Sequence, residues 1–145
     1  MGLLIDIADA VAQELNAASP GTFTPPFTAV RRVLVEFDLI ELADLTVSVV
    51  PRGVQIVGST RSNGQFDWQV DIGVQKKLGA DLDTEVSALC GLMDQMADYL
   101  RQRALAGVPE AVWVRTRNEP IYAPDLLAEQ RVFIGVLTVT YRAIG

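Results

Sequence analysis

Leu4, Ile7, Ala8, Val11, Ala12 and Leu15 recur at spacings of three and four, with Asp6, Asp9, Gln13 and Asn16 between them. That period predicts an amphipathic helix over residues 3 to 18. The segment SPGTFTPPF follows, and its prolines and glycine predict an irregular, extended and exposed connection over residues 19 to 27. TAVRRVLVEF, residues 28 to 37, is rich in β-branched side chains and predicts a strand in which Arg31 and Arg32 face solvent or a partner. Leu45, Val47 and Val49 then alternate with Thr46 and Ser48 as far as Pro51, which lacks a ladder donor and is expected to close that strand, with Arg52-Gly53 as a turn. A return strand from Val54 to Thr60 leads to Asn63-Gly64, a pair that tolerates positive φ at a hairpin tip. Trp68, Val70, Ile72 and Val74 alternate with Gln69, Asp71, Gly73 and Gln75, which completes a predicted antiparallel meander of three strands over residues 45 to 77.

Helical spacing returns after Asp81 or Asp83, either of which caps a helix. Val86, Leu89, Cys90, Met93, Met96, Ala97 and Leu100 form its apolar stripe, and Asp94, Asp98, Arg101 and Arg103 lie off it. Gly107 and Pro109 are expected to stop it. Val112 to Val114 predict a short strand, and VFIGVLTVTYR, residues 132 to 142, a long one, with the proline-bearing loop RNEPIYAPDLLAEQ between them. The order of elements predicts an α+β fold: a mainly antiparallel sheet of about four to five strands, two helices packed on one face, and long proline-containing loops. No repeat, low-complexity tract or linker divides residues 1 to 145, so one domain is expected.

Composition narrows the chemistry. Of 145 residues, 50% are hydrophobic and 21% charged, a globular balance. The net charge of −6 removes the main driving force for gripping phosphates. The absence of histidine removes the commonest general base and metal ligand. Cys90 is the lone cysteine, so no disulfide forms within the chain, and its helical setting near Leu89 and Leu92 reads as a small buried hydrophobe; as a nucleophile it would have no histidine to activate it. MGLLIDIADA carries acids where a secretion signal needs basic residues, and no apolar run is long enough to span a bilayer, so synthesis in a reducing cytosol is expected. The sequence has no P-loop, GxGxxG, CxxC, HExxH or GxSxG motif.

The remaining polar clusters have plain explanations. Asp38, Glu41 and Asp44 lack the alternate spacing and turn glycine of a calcium loop and read as a solvated acidic loop. Asp67 and Asp71 share the polar face of the Trp68 strand, where a wet outer face explains them and an acid–base pair is the alternative. Trp68, Trp113 and Tyr141 fall in strands and are read as packing residues, and Met93 with Met96 as a core seam. Arg31, Arg32, Arg52, Arg61, Lys76 and Lys77 lie in strands or at their ends; each alone is ordinary surface charge, and together they suit ion pairs with an acidic neighbouring subunit. The proline-bounded segments 19–27 and 117–128 suit contact with a partner, since long loops in a compact domain are usually functional. Phe23, Pro25, Pro26 and Tyr122 in these segments join the six basic residues as candidate interface residues. No catalytic, cofactor-binding or metal-ligating residue is assigned.

A run of features resembles the small tail terminator and tail completion proteins of tailed bacteriophages and prophages. It comprises a first helix ending in LNAA, the segment DLIELADLTVSVVPRG, the arginine-bearing hairpin STRSNGQ, the strand DWQVDIGVQKK, and a closing LTVTYR after NEPIYAP. The match spans nearly the whole chain, and Leu45 to Pro51 with Asp71 to Lys77 carry most of it. The resemblance implies a homo-oligomeric ring, commonly a hexamer, seated on the last ring of tail-tube protein. Such a ring stops tube polymerisation and offers a surface to the head connector or other neck proteins, while DNA only passes through its lumen. It further implies residence at the tail–neck junction of a virion, synthesis in the host bacterial cytoplasm, no membrane and no cofactor. Two alternatives stand beside it. One is another neck component, such as a head-closure or connector-completion protein. The other is a small ligand-binding or enzymatic domain using Asp67, Asp71 or Cys90, whose mark would be a deep closed pocket in a monomer.

Overall fold

The computed structural model describes residues 3–33, 45–59, 64–118, 125, 127–128 and 131–144. Helix α1, Leu3–Asn16, buries Ile7, Ala8, Ala10, Val11, Ala12 and Leu15, the stripe that its spacing predicts. Strands β1 (Ala29–Arg31), β2 (Thr46–Ser59) and β3 (Gly64–Lys77) precede helix α2 (Leu82–Leu100), and β4 (Val112–Arg117) and β5 (Val132–Ile144) follow it. The five strands form one sheet in the order β1-β2-β3-β5-β4. Only β1 runs parallel to its neighbour; the β2–β3, β3–β5 and β5–β4 pairs are antiparallel. The α+β class expected from the pattern is the class observed.

Register explains how the sheet divides into two faces. Val49 lies opposite Ile72, and Ile72 opposite Leu137; one step along, Val47 faces Val74, and Val70 faces Val139. These side chains therefore share one face. They meet α1 and the α2 residues Leu89, Leu92, Met93, Met96 and Leu100 in one hydrophobic cluster. Both helices thus lie over the same face, as their stripes require. At one end of the opposite face Ser48 and Gln75 are fully buried, and neither the Ser48 hydroxyl nor the Gln75 amide has a hydrogen-bond partner.

The ends of α2 follow capping chemistry. Asp81 is the N-cap, its carboxylate accepting from the Thr84 N–H at 3.3 Å and the Thr84 hydroxyl at 2.9 Å. The helix stops at Leu100, well before Gly107 and Pro109, where Gln102 turns to φ 56°. Arg103 donates to the Tyr99 carbonyl at 2.8 Å and lies 3.7 Å from the centre of the Tyr99 ring, which satisfies an otherwise orphan helix-end carbonyl. The loop beyond returns to α1: the Ala106 N–H donates to Glu14 Oε2 at 3.0 Å, and a Cβ at Gly107 would sit 3.3 Å from that of Ala10.

Three expectations are corrected. Pro51 does not close a strand and Arg52-Gly53 is not a turn: β2 runs through both as one strand of 14 residues, with a register shift between Pro51 and Gly53. The expected three-strand meander is thus a two-strand hairpin. Proline is tolerated there because the β1 register ends at Val49 and the shift sits at the proline, so no donor is missed on that side. The strand expected over residues 28 to 37 is a strand of three residues, with 34–37 outside the described part. The Asn63 tip and the Asp38, Glu41 and Asp44 cluster also lie outside the described residues.

Candidate interaction surface

The segment after α1 is irregular and mostly exposed, as expected, but it is anchored to the body of the fold through Phe23. Phe23 turns inward, 8% exposed, with its ring 5.0 Å from that of Phe27 and 5.3 Å, edge-on, from that of Tyr99 on α2. The Thr24 N–H donates to Gln95 Oε1 at 2.9 Å, a second tie to α2. Asn16, at the end of α1, holds the far end of the segment with both halves of its side-chain amide: it accepts from the Ala29 N–H at 2.7 Å and donates to the Ala29 carbonyl at 2.9 Å. Pro25 is half-buried and Pro26 exposed. Aromatic burial outweighs the solvation of so short a link, because a phenylalanine ring recovers about 1.5–3 kcal/mol when it leaves water.

The candidate basic residues scatter over the surface. Arg31 donates to Asp9 on α1 at 2.8 Å, and Lys76 lies 3.6 Å from Glu85 on α2; both are satisfied within the chain. Arg32 and Lys77 are exposed. Arg61 and Tyr122 lie outside the described residues, as does most of the 117–128 loop. Of the described basic candidates, Arg52 joins a larger constellation.

That constellation occupies the sheet face opposite the helices. Register puts Asp67 opposite both Gln55 and Arg142, Asp71 opposite Thr138, Gln69 opposite Thr140, and Arg115 and Arg117 opposite Thr140 and Thr138. Asp67 is 2% exposed and accepts a two-pronged contact from Arg142, Nε at 2.8 Å and Nη2 at 3.2 Å, with Arg115 at 3.8 Å. Asp71 accepts from the Thr138 hydroxyl at 2.7 Å and lies 3.3 Å from Arg52. The hydrogen bond to Asp67 raises the Arg142 pKa above its usual value. Arg52, Gln55, Gln69, Arg115, Arg117, Thr138 and Thr140 line a polar cleft of about 230 Å³ on this face. The carboxylates fix the arginines from beneath, while the side chains of Arg52 and Arg115 stay 54% and 51% exposed. Such a surface offers planar, pre-oriented N–H donors to an incoming oxyanion.

Sequence reading placed Asp67 and Asp71 on a polar face but missed Arg115, Arg117 and Arg142, which complete it. The available signal was their phase: Arg115 and Arg117 are two apart, and Arg142 directly follows the inward Tyr141. The readings of Met93 and Met96 as a core seam and of Tyr141 as a packing residue match the structure, since all three are fully buried. Burial and the charge of Asp94 push the Cys90 thiol up, away from the thiolate that a nucleophile needs. Among the described residues no His, Cys, Asp or Glu group has the grouping of a metal site, and no helix is long and apolar enough to cross a membrane.

No protein-family model matches the chain, and no curated protein matches it in sequence. Solved structures do match. A chain from the structure of a sheath/tube terminator of an extracellular contractile injection system in its extended state aligns at 19% identity over 97% of this chain and 56% of that one, with a TM-score of 0.45. A chain from the virion of a native gene transfer agent particle aligns at 17% identity over 96% of this chain and 95% of that one, with a TM-score of 0.59. At that identity the likeness is one of fold, and over nearly its whole length this chain shares the fold of a virion component.

Proposed function

We propose that the chain is a structural tail protein of the terminator kind: a ring that caps a tail tube, stops its polymerisation and presents its other side to the head connector. The observation that carries this reading is a fold shared with a gene transfer agent virion chain over 96% of this chain and 95% of that one. Of the segments that carry most of the resemblance, Thr46 to Pro51 lie in β2 and Asp71 to Lys77 in β3, strands paired in the middle of the observed sheet. The role is steric, with no catalytic residue, cofactor or membrane. One side of the ring repeats the contacts of a tube subunit, and the other cannot continue the stack. The net charge of −6 suits a conduit that must release the genome it passes.

The test is to polymerise the cognate tail-tube protein with and without this chain and to measure tube lengths by electron microscopy. Short tubes bearing an extra density at one end are expected. Tubes of unchanged length without added density would refute the reading. Binding to connector-bearing heads and not to tubes would move the chain to another neck role.

A further inference from the structure

Among the described residues, the cleft on the sheet face and the outer stripe of α2 carry opposite charge. On the open part of the sheet face, Arg52, Arg115, Arg117 and Arg142 share the surface with Asp67 and Asp71, four cations to two carboxylates among the described residues of a chain whose net charge is −6. Behind the sheet, α2 turns Asp83, Ser87, Asp94 and Asp98 to solvent. At 3.6 residues per turn these four lie within one narrow stripe, opposite the buried Leu89, Leu92, Met93, Met96 and Leu100.

We infer that the arginine-bearing sheet face docks onto the acidic outer stripe of α2 in a second copy of this chain. The inference rests on the ring reading and supplies its subunit contact. The spacings agree. From Arg52 on β2 to Arg115 on β4 the sheet is crossed in three strand steps, about 14 Å. Along α2 the rise from Asp83 to Asp94 is about 16 Å. A helix laid across the strands therefore brings a carboxylate to each end of the arginine row. The cleft floor favours this occupant over nucleic acid: Asp67 and Asp71 already pair with Arg142 and Arg52 and repel a continuous run of phosphates, which limits the counterion release on which such binding depends. Discrete carboxylates between neutral residues meet the guanidiniums without approaching those acids. Because the two surfaces lie on opposite sides of the subunit, the contact is head-to-tail and closes into a ring when the rotation per subunit divides a full turn.

Charge reversal tests the pairing. Arg52→Glu/Arg117→Glu reverses the front and Asp94→Arg/Asp98→Arg the back, with circular dichroism to verify folding and light scattering coupled to gel filtration to read mass at low salt. Each reversal alone is expected to weaken self-association by about tenfold or more, towards the 15.8 kDa monomer. An equimolar mixture of the two variants, or one chain carrying all four substitutions, is expected to restore the assembly. If a reversed variant does not fold, Arg52→Gln/Arg117→Gln replaces it, and the wild type is titrated from about 0.05 to about 0.5 M salt, across which association must weaken. Folded single-sided variants that assemble like the wild type, or a four-substitution chain that stays monomeric, would overturn the contact. So would loss of oligonucleotide binding in the front variant with self-association intact, which would assign the face to a polyanion. A wild type that shortens tubes yet never self-associates through these faces sinks the contact and leaves the capping role. A front-to-back assembly that leaves tubes uncapped sinks the capping role and keeps the contact.

Discussion

Phe23→Ala is expected to lower the unfolding free energy of the isolated chain by about 3 kcal/mol, within the range for deleting a buried aromatic ring. The ring is 8% exposed and touches both Phe27 and Tyr99, so its loss opens a void between the proline-bounded segment and α2. Urea unfolding read by circular dichroism, under conditions where the chain is monomeric, measures the change as a fall in midpoint at constant slope. The exposed Pro26 supplies the contrast: Pro26→Ala leaves stability within about 0.5 kcal/mol of the wild type. A segment that reached out to a neighbour would behave in the opposite way, with Phe23→Ala silent in the monomer and harmful only to assembly. That outcome would return the segment to the role expected from sequence.

Tyr141→Phe is expected to stabilise the chain by about 1–3 kcal/mol, although it removes a polar group from a strand at the centre of the fold. Tyr141 is fully buried, its hydroxyl has no hydrogen-bond partner, and burial together with the charge of Glu14 raises its pKa far above the usual phenol range. Phenylalanine keeps the ring in place and removes the unmet desolvation cost. Tyr99→Phe is the internal control of opposite sign. The Tyr99 hydroxyl donates to the Glu14 carbonyl at 3.0 Å, and losing that bond costs about 0.5–1.5 kcal/mol. Thermal unfolding of the two variants side by side reads both signs. A Tyr141→Phe protein less stable than the wild type would mean that the hydroxyl is satisfied in solution.

Elements built from an uninterrupted period were legible in the sequence. The stripes of α1 and α2, and the alternations from Trp68 to Val74 and from Phe133 to Tyr141, correspond to the helices and strands observed. Pro51 was misread because the rule against proline in a strand applies to each edge separately, and β2 is paired with β1 only as far as Val49. The parallel pairing of β1 was not legible, since three residues carry no period that reports direction. The arginine face escaped for a different reason. Its strongest pair, Asp67 with Arg142, joins residues 75 apart in sequence, and only the sheet order brings β3, β5 and β4 side by side. The six basic candidates lie in strands or at their ends; Arg31 and Lys76 are tied to the chain's own helices, and among the described candidates Arg52 belongs to the cleft.

Under the proposed role the chain acts by shape, and the arrangement of the described residues suits that. The helices and one sheet face supply the core, and the other face is left free to carry charge. Ion pairs there are individually weak in water, but pairs desolvated together in a repeated contact fix register and orientation.

Native mass, by light scattering coupled to gel filtration, of the chain alone and mixed with tail-tube protein tests the central claim most directly. The account predicts a closed assembly of several 15.8 kDa subunits, formed in solution or on the tube, that remains attached to tube ends. A chain that stays monomeric both alone and in the presence of tubes would contradict it.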